Sequence, residues 1–331
     1  MIKVEHLTKR YGDFTAVDDI SFEISESNVY GFLGPNGAGK STTMNIMTGC
    51  LSATKGKVLI DGKDIFENPK EAKKLVGYLP EQPPLYLNET PYEYLKFVGE
   101  AKGLKDDELK IQIEKVINDT KIDNVRDTRI QNLSKGYKQR VGIAQALLGN
   151  PDVIILDEPT VGLDPIQIRE IRDLIKSLGN NHTVLISSHI LSEIQNMCEK
   201  ILIISHGKLI AFDEPEKLED KLMSPNNIKI TTDADVEATK MYCKSLKDVK
   251  LNYVKTDDNG YTEAEVNTGK NDIYKVSKEL FLLFASNNKI LYQINLKKTD
   301  LEDIFVELTE ISDEVDDTEK ITEDMEDENL C

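Results

Sequence analysis

The sequence predicts an α/β fold with a parallel-sheet core, followed by a smaller α+β domain. Two apolar runs, VIIL at 153–156 and TVLISS at 183–188, are bounded by polar and turn residues and are typical of strands buried on both faces. Beyond residue 227, strand and helix patterns alternate in the order βαββαβ. That order is the split βαβ, or ferredoxin-like, arrangement, so we expect two domains.

The charge of the chain is unevenly distributed. The 331 residues carry a net charge of −18, and 312–331 contribute −9 of it through ten acidic residues and one lysine. A segment with so few apolar residues cannot bury enough surface to order itself, so 312–331 is predicted to be a disordered acidic tail. The acidity also argues against a general nucleic-acid binder, because such a protein needs a basic face.

The sequence predicts a cytoplasmic protein. The longest apolar runs, such as LFLLFA at 280–285, are far shorter than the roughly 18 residues that indicate a membrane span. The first residues, MIKVEHLTKRYG, contain no basic and then apolar leader. The four cysteines are scattered without a CxxC pair, which favours reduced thiols over a disulfide framework.

The segment 30–49 (YGFLGPNGAGKSTTMNIMTG) reads as a strand, a glycine-rich loop and a helix. Its spacing fits GxxxxGK[ST], the P-loop pattern, in which glycines let backbone N–H groups turn toward phosphate oxygens. Lys40 is expected to contact the β and γ phosphates, and the Ser41 hydroxyl to ligate Mg²⁺. The predicted nucleotide-binding residues of this loop are Gly34, Pro35, Asn36, Gly37, Ala38, Gly39, Lys40, Ser41 and Thr42.

Polar residues follow both buried strands. Asp157 and Glu158 end the first run and are expected at the carboxyl edge of the sheet, where ligands bind in open α/β folds. Asp157 suits an indirect contact to Mg²⁺, and Glu158 could take a proton from water. A helix N-cap is the alternative for this acidic pair, and Pro159 directly after it disfavours that alternative. His189 lies just past the second strand, a position that favours a γ-phosphate contact over a structural role.

Five motifs occur in order, namely the P-loop, LSKGYKQR (133–140), VIILDEP (153–159), GLD (162–164) and SSH (187–189). Together they resemble the nucleotide-binding domain of ATP-binding-cassette (ABC) ATPases, over about residues 1–215. LSKGYKQR is similar to the family's signature motif, usually LSGGQ followed by a basic residue. The resemblance implies a P-loop NTPase cassette with a parallel-sheet core, an antiparallel β subdomain and a helical subdomain at about 85–150. We expect this domain to span 1–222.

The resemblance also implies roles for single residues. In the family, two cassettes pair head to tail and hold each ATP between one P-loop and the partner's signature motif. Ser134, Lys135 and Gly136 are therefore expected to contact an ATP bound by the partner. The other implied roles are adenine stacking for Tyr11, Mg²⁺ contact for Asp157, catalytic base for Glu158, coupling of the two sites for Asp164 and γ-phosphate switch for His189.

The sequence departs from the family pattern at three positions. Lys135 and Tyr137 stand where the signature motif usually has glycine and glutamine. Glu81 occupies the place of the family's Q-loop glutamine and could ligate Mg²⁺, although its neighbour Gln82 is an alternative for this role. Because Glu81 adds negative charge near the phosphates, we hypothesise that Lys135 compensates by supplying a cation to the ATP.

The C-terminal third contains no group of residues that predicts catalysis. Strands are expected at 228–233, 250–256, 261–267 and 289–297, with helices at 235–248 and 271–287. A last helix at 300–311 has an apolar stripe, which favours packing within this accessory domain of 228–311 over a partner surface. Its string LEDIFVELT is similar to the C-terminal end of cassettes that serve export-type membrane subunits. A regulatory or dimer-stabilising role is therefore expected.

The sequence predicts the ATPase subunit of an ABC exporter, with ATP and Mg²⁺ as cofactors. The expected partners are a separate integral membrane subunit and a second copy of this chain, without nucleic acid, at the cytoplasmic face of the membrane. An importer ATPase shares all the core motifs and stays open. A soluble cassette ATPase acting on ribosomes or DNA is a further alternative, although ribosome-acting relatives usually carry two cassettes and this chain has one.

Overall fold

The computed structural model describes residues 1–222, 227–247, 249–257, 260–269 and 271–297. These residues divide between Pro215 and Glu216 into two compact units. The domain limits given by the sequence, 1–222 and 228–311, stay predictions. The expected helix at 300–311 and the acidic tail at 312–331 lie outside the described residues.

The first unit contains two sheets, seven α-helices and two short 3-10 helices (Asp123–Val125 and Ile130–Asn132) within its described residues. Its strands are β1 (Ile2–Tyr11), β2 (Phe14–Ile24), β3 (Val29–Leu33), β4 (Lys55–Ile60), β5 (Lys63–Asp64), β6 (Val76–Leu79), β7 (Val153–Leu156), β8 (Thr183–Ser188), β9 (Lys200–Ser205) and β10 (Lys208–Asp213). Its helices are α1 (Lys40–Met47), α2 (Pro69–Lys74), α3 (Pro91–Ala101), α4 (Asp106–Thr120), α5 (Lys135–Leu147), α6 (Pro165–Gly179) and α7 (Leu191–Gln195).

The predicted parallel sheet is confirmed. It has the order β10-β9-β3-β8-β7-β6, and every neighbouring pair is parallel except the antiparallel pair of β10 and β9. All residues of β3, β7 and β8 are buried, as their continuous apolar runs predict. The carboxyl ends of these three strands therefore lie side by side at one edge of the sheet.

A second, antiparallel sheet packs against one face of the parallel sheet. Its order is β2-β1-β4-β5, with β1 paired to both β2 and β4. Apolar side chains of both sheets and of α1 share one core, in which the Phe22 and Phe32 ring centroids lie 6.3 Å apart. This core includes residues of β3 and of α1, the two elements that flank the phosphate-binding loop.

The region expected to be helical, about 85–150, contains α3, α4 and α5. Thr90 and Glu93 form a capping box that starts α3, since the Thr90 hydroxyl accepts from the Glu93 N–H and the Glu93 carboxylate accepts from the Thr90 N–H. Arg140 on α5 donates to the Thr120 carbonyl at 2.9 Å and to the Glu170 carboxylate at 2.7 Å. It thus ties α5 to both α4 and α6, which fixes the signature segment.

The second unit has the predicted βαββαβ order. After α8 (Pro215–Leu222) come β11 (Asn227–Thr232), α9 (Val236–Ser245), β12 (Lys250–Thr256), β13 (Thr262–Asn267), α10 (Ile273–Ser286) and β14 (Leu291–Lys297). The sheet is antiparallel, in the order β12-β13-β11-β14. One face of the sheet packs against α9 and α10 and gives this unit a core of its own, which includes Ile228, Val266 and Phe284.

Candidate functional site

The P-loop connects the buried strand β3 to α1. Gly39 at the helix N-cap has a φ of 98°, and a side chain there would collide with the Ala16 carbonyl, so only glycine fits. Since Gly39 has no side chain to cap α1, the first N–H groups of the helix stay available to an anion. The loop lines a cleft of about 500 Å³. Its lining residues are Tyr11, Phe14, Ala16, Pro35, Asn36, Gly37, Gly39, Lys40, Ser41, Thr42, Glu81, Glu158, Val161 and His189.

Lys40 is the cation at the base of this cleft. It is 6% exposed, and its ammonium donates to the Gly34 carbonyl at 2.8 Å and to the Pro35 carbonyl at 3.0 Å. It lies 3.7 Å from Oε1 of Glu158. Burial lowers the pKa of Lys40, whereas the charges of Glu158, Asp157 and Glu81 oppose that shift. An anion entering the cleft could therefore replace the two neutral carbonyls as partners of this buried cation.

The acidic pair after β7 is held from β8. Ser187 donates a 2.5 Å hydrogen bond to Asp157, and its oxygen accepts the Glu158 N–H at 2.8 Å. Glu158 has a φ of 46°, a left-handed conformation that is costly for a residue with a side chain. Its Oε2 lies 3.0 Å from Nδ1 of His189. The carboxylate is therefore aimed into the cleft by contacts on the backbone and on both oxygens.

Two of the three sequence candidates for Mg²⁺, Ser41 and Glu81, line the cleft with hard oxygen donors. Asp157, the third, is 2% exposed and close enough to influence the Lys40 charge. Such oxygen atoms fit Mg²⁺, which keeps several waters beside a few protein ligands. Of the two Q-loop alternatives, Glu81 lines the cleft and Gln82 is not among the described lining residues.

The signature residues lie in a second cleft, of about 560 Å³, in the same unit. Ser134 caps α5, since its hydroxyl accepts the Tyr137 N–H. A side chain at the position of Gly136 would collide with the Gln167 side chain. Asp164 lines this cleft too, and its carboxylate caps α6 by accepting from the Ile166 and Gln167 N–H groups. Within one chain, therefore, most of the sequence candidates divide between two clefts. The exceptions, which are not among the described lining residues of either cleft, are Gly34, Ala38, Lys135 and Asp157.

Lys135 stands between Ser134 and Gly136 in the sequence but is not among the described lining residues of either cleft. A side chain at Gly162 would collide with its ammonium, so Lys135 covers the loop that follows Glu158. The sequence reasoning missed two further residues. Ser187 was not distinguished from the rest of its strand, and Phe14 has no motif around it, although its position three residues after Tyr11 in a hairpin was a usable signal.

Comparison with known proteins decides the family. A family model described as ABC transporter matches residues 17–161. The uncharacterized ABC transporter ATP-binding protein YhcH of Bacillus subtilis is 36% identical over 312 residues, which cover 93% of this chain and 96% of YhcH. The chain belongs to the ABC transporter ATP-binding proteins. The predicted family and cassette fold are thereby confirmed, and ATP hydrolysis coupled to transport is the activity of this family.

Other ABC relatives align over nearly their whole length. The bacitracin transport ATP-binding protein BcrA of Enterococcus faecalis is 35% identical, over 93% of this chain and 96% of BcrA. The linearmycin resistance ATP-binding protein LnrL of Bacillus subtilis is 31% identical, over 93% and 98%. Among solved structures, the dimeric post-hydrolysis state of the ATP-binding cassette MJ0796 bound to ADP and Pi has a TM-score of 0.58 at 26% identity, covering 65% of this chain and 98% of that one.

No helix in the described residues is long and apolar enough to cross a membrane. A group of three or more histidine, cysteine, aspartate or glutamate residues that could hold a metal is likewise absent from the described part of the ABC chain.

Proposed function

We propose that this chain is the ATP-hydrolysing subunit of an export-type ABC transporter, working as a homodimer on a separate membrane subunit. The observation that carries the proposal is the P-loop cleft, where Lys40 faces Glu158 and His189 beside free helix N–H groups. A buried cation and an N-terminal helix end suit a triphosphate. A carboxylate next to a histidine suits the activation of water.

In the proposed mechanism the phosphates enter along the N-terminus of α1. Lys40 exchanges its carbonyl partners for phosphate oxygens, which frees Oε1 of Glu158. Glu158 then takes a proton from the water that attacks the γ-phosphorus, and the bond from that phosphorus to the oxygen of the departing ADP breaks. His189 meanwhile holds the other carboxylate oxygen and faces the γ-phosphate. Mg²⁺, held by Ser41 and through Asp157 and Glu81, would neutralise charge on the phosphates.

A homodimer explains why the candidate residues divide between two clefts. Ser134 and Gly136 lie at the N-terminus of α5, which offers a hydroxyl and backbone N–H groups to an anion. In a head-to-tail pair this helix end would complete the partner's P-loop cleft, with Asp164 beside the junction. The dimeric form of a related cassette with ADP and Pi supports this arrangement.

Export is supported by the relatives that match both units of the chain. BcrA and LnrL are named for bacitracin transport and linearmycin resistance, and each aligns over 93% of this chain. Cassettes that serve importers share the first unit's motifs, so the second unit is the part that favours export. We place the dimer on the cytoplasmic face of the membrane, bound to a partner whose cargo the cassette does not determine.

The roles in the cleft are tested by replacing Lys40 and Glu158 separately. Lys40→Ala is expected to lose ATP binding, measured by calorimetric titration. Glu158→Gln keeps the shape of the side chain but removes the carboxylate that acts as the base. This variant should bind ATP and hold a closed dimer, and its turnover should fall by about 10²–10⁴-fold. Wild-type turnover in Glu158→Gln would refute the base assignment. Lys208→Ala is the matched control, because Lys208 is an exposed lysine of β10 that pairs loosely with Asp18.

The membrane partner is tested by a pull-down from detergent-solubilised membranes of the native host. Tagged Glu158→Gln with ATP and Mg²⁺ should retain a multi-span protein, whose sequence would then distinguish exporter from importer. Recovery of ribosomal or DNA-associated proteins instead would favour the soluble ATPase. The same pull-down with Lys40→Ala controls for contacts that do not depend on nucleotide.

A further inference from the structure

The tip of the β1–β2 hairpin carries two aromatic rings into the mouth of the P-loop cleft. Tyr11 and Phe14 are direct cross-strand partners on either side of a two-residue turn, in which Gly12 has a φ of 61°. Direct partners in an antiparallel pair point to the same face of the sheet. Both rings line the cleft that the P-loop forms, with exposed fractions of 49% and 63%.

The two rings are separated rather than packed together. Ring contacts occur at several places in the described residues, but none of them joins Tyr11 to Phe14. The Lys9 ammonium lies 5.0 Å from the Tyr11 ring centroid and is anchored by a 2.8 Å hydrogen bond to the Ser52 carbonyl. One face of the Tyr11 ring is therefore occupied by this cation, while the residue stays 49% exposed.

We propose, on the basis of the nucleotide-binding function proposed above, that Phe14 is a second base-stacking residue that forms a clamp with Tyr11. The exposed Phe14 ring gains nothing from the protein core, whereas a flat nucleobase beside it would bury apolar surface on both partners. The phosphates bind at the other end of the cleft, where Lys40 and the α1 N-terminus lie.

The same lining predicts that the clamp does not distinguish between purines. At the hairpin end the described lining consists of Tyr11, Phe14 and Ala16, which leaves the Tyr11 hydroxyl as the polar side-chain group available to a base edge. Stacking accepts any base, since every base has a π face, and strong discrimination needs several placed hydrogen-bonding groups. GTP is therefore expected to bind with an affinity within about 10-fold of that for ATP.

The test compares ATP, GTP and inorganic tripolyphosphate, which has no base, by calorimetric titration of the full-length protein. Phe14→Ala should raise the dissociation constants of ATP and GTP about 10-fold and leave that of tripolyphosphate unchanged. Phe14→Tyr keeps a ring and should stay near wild type. Phe66→Ala removes another partly exposed phenylalanine, which lies outside the cleft lining, and should change none of the three constants.

Three results would overturn the clamp. These are an unchanged ATP constant in Phe14→Ala, an equal loss of tripolyphosphate binding, and more than about 100-fold preference of the wild type for ATP over GTP. A different result would refute the proposed nucleotide-binding function. A wild-type protein that binds none of the three compounds would refute nucleotide binding itself, and the clamp with it, whereas wild-type ATP binding with an unaffected Phe14→Ala refutes the clamp alone.

Discussion

Ser187 connects the ends of two neighbouring strands through one hydroxyl. It is fully buried, donates to Asp157 and accepts the N–H of Glu158, whose backbone is left-handed. A buried N–H without a partner is costly, so this hydroxyl offsets both a polar burial and the strained conformation. The direction of the Glu158 carboxylate thus depends on a residue that contacts no nucleotide in the proposed mechanism.

We predict that Ser187→Ala lowers the free energy of unfolding by about 1–3 kcal/mol, because it leaves the Glu158 N–H buried and unpaired. Turnover should fall more than ATP affinity, because the carboxylate loses its orientation while Lys40 is untouched. Urea unfolding and steady-state kinetics would measure both effects. Ser177→Ala is the control, because the Ser177 hydroxyl on α6 donates to the Leu174 carbonyl of the same helix. Equal losses in the two variants would contradict the positioning role.

The charge hypothesis for Lys135 is also a residue-scale question. Glu81 lines the cleft, and the Lys135 ammonium covers the loop after Glu158. If Lys135 offsets Glu81, we predict that Lys135→Gly weakens ATP binding several-fold and that Glu81→Gln in the same chain restores it. The four proteins of this cycle would be compared by ATP titration. Additive effects, or no effect of Lys135→Gly, would refute the compensation.

Among the elements, α3 and α5 are joined by one side chain. The ammonium of Lys102, at the end of α3, donates to the carbonyls of Gln145, Ala146 and Leu148 at the end of α5. These are carbonyls that a helix end leaves without partners. Although the side chain as a whole is exposed, burial of its ammonium lowers the pKa of Lys102 to about 8.

The lowered pKa of Lys102 makes the stability of the helical region increase with pH over a defined range. Below about pH 8 both folded and unfolded chains carry the proton, whereas between about pH 8 and 10.5 only the unfolded chain does. The wild type should therefore gain stability relative to Lys102→Met as the pH rises through this window, by about 1 kcal/mol after solvent screening. Urea midpoints at pH 7, 8, 9 and 10 would measure it. Parallel curves would contradict the assignment, and Lys110→Met is the exposed control.

The elements differ in how far the sequence predicts them. β3, β7 and β8 were predictable because a continuous apolar run bounded by turns has few other solutions. The P-loop was predictable because its glycines have a local conformational reason. The contacts of Ser187 with the β7 end and of Arg140 with Glu170 join residues about thirty positions apart, so they depend on packing that no local pattern encodes.

At the scale of the whole molecule, each of the two units has an apolar core of its own within the described residues. One combines the antiparallel sheet with the parallel sheet, and the other lies under α9 and α10 in the second unit. The candidate nucleotide residues all belong to the first unit. A ligand that binds one folded unit stabilises that unit by mass action and leaves an independent unit unchanged.

We therefore predict two transitions in calorimetric unfolding. ATP with Mg²⁺ at about 100 times the dissociation constant should stabilise one of them by about 2.7 kcal/mol and leave the other in place. Lys40→Ala should show the same two transitions without the nucleotide shift. A single transition that moves as a whole with ATP would mean that the two units unfold cooperatively and would contradict this prediction.

The ion pair between Lys40 and Glu158 imposes an order on events in the cleft. One carboxylate oxygen of Glu158 faces Lys40 and the other faces His189, so both oxygens of the proposed base already have partners. In the proposed mechanism the triphosphate would draw Lys40 away from Glu158, so that ATP itself would release the carboxylate that activates water. The ion pair would thereby couple activation of the base to the presence of the substrate.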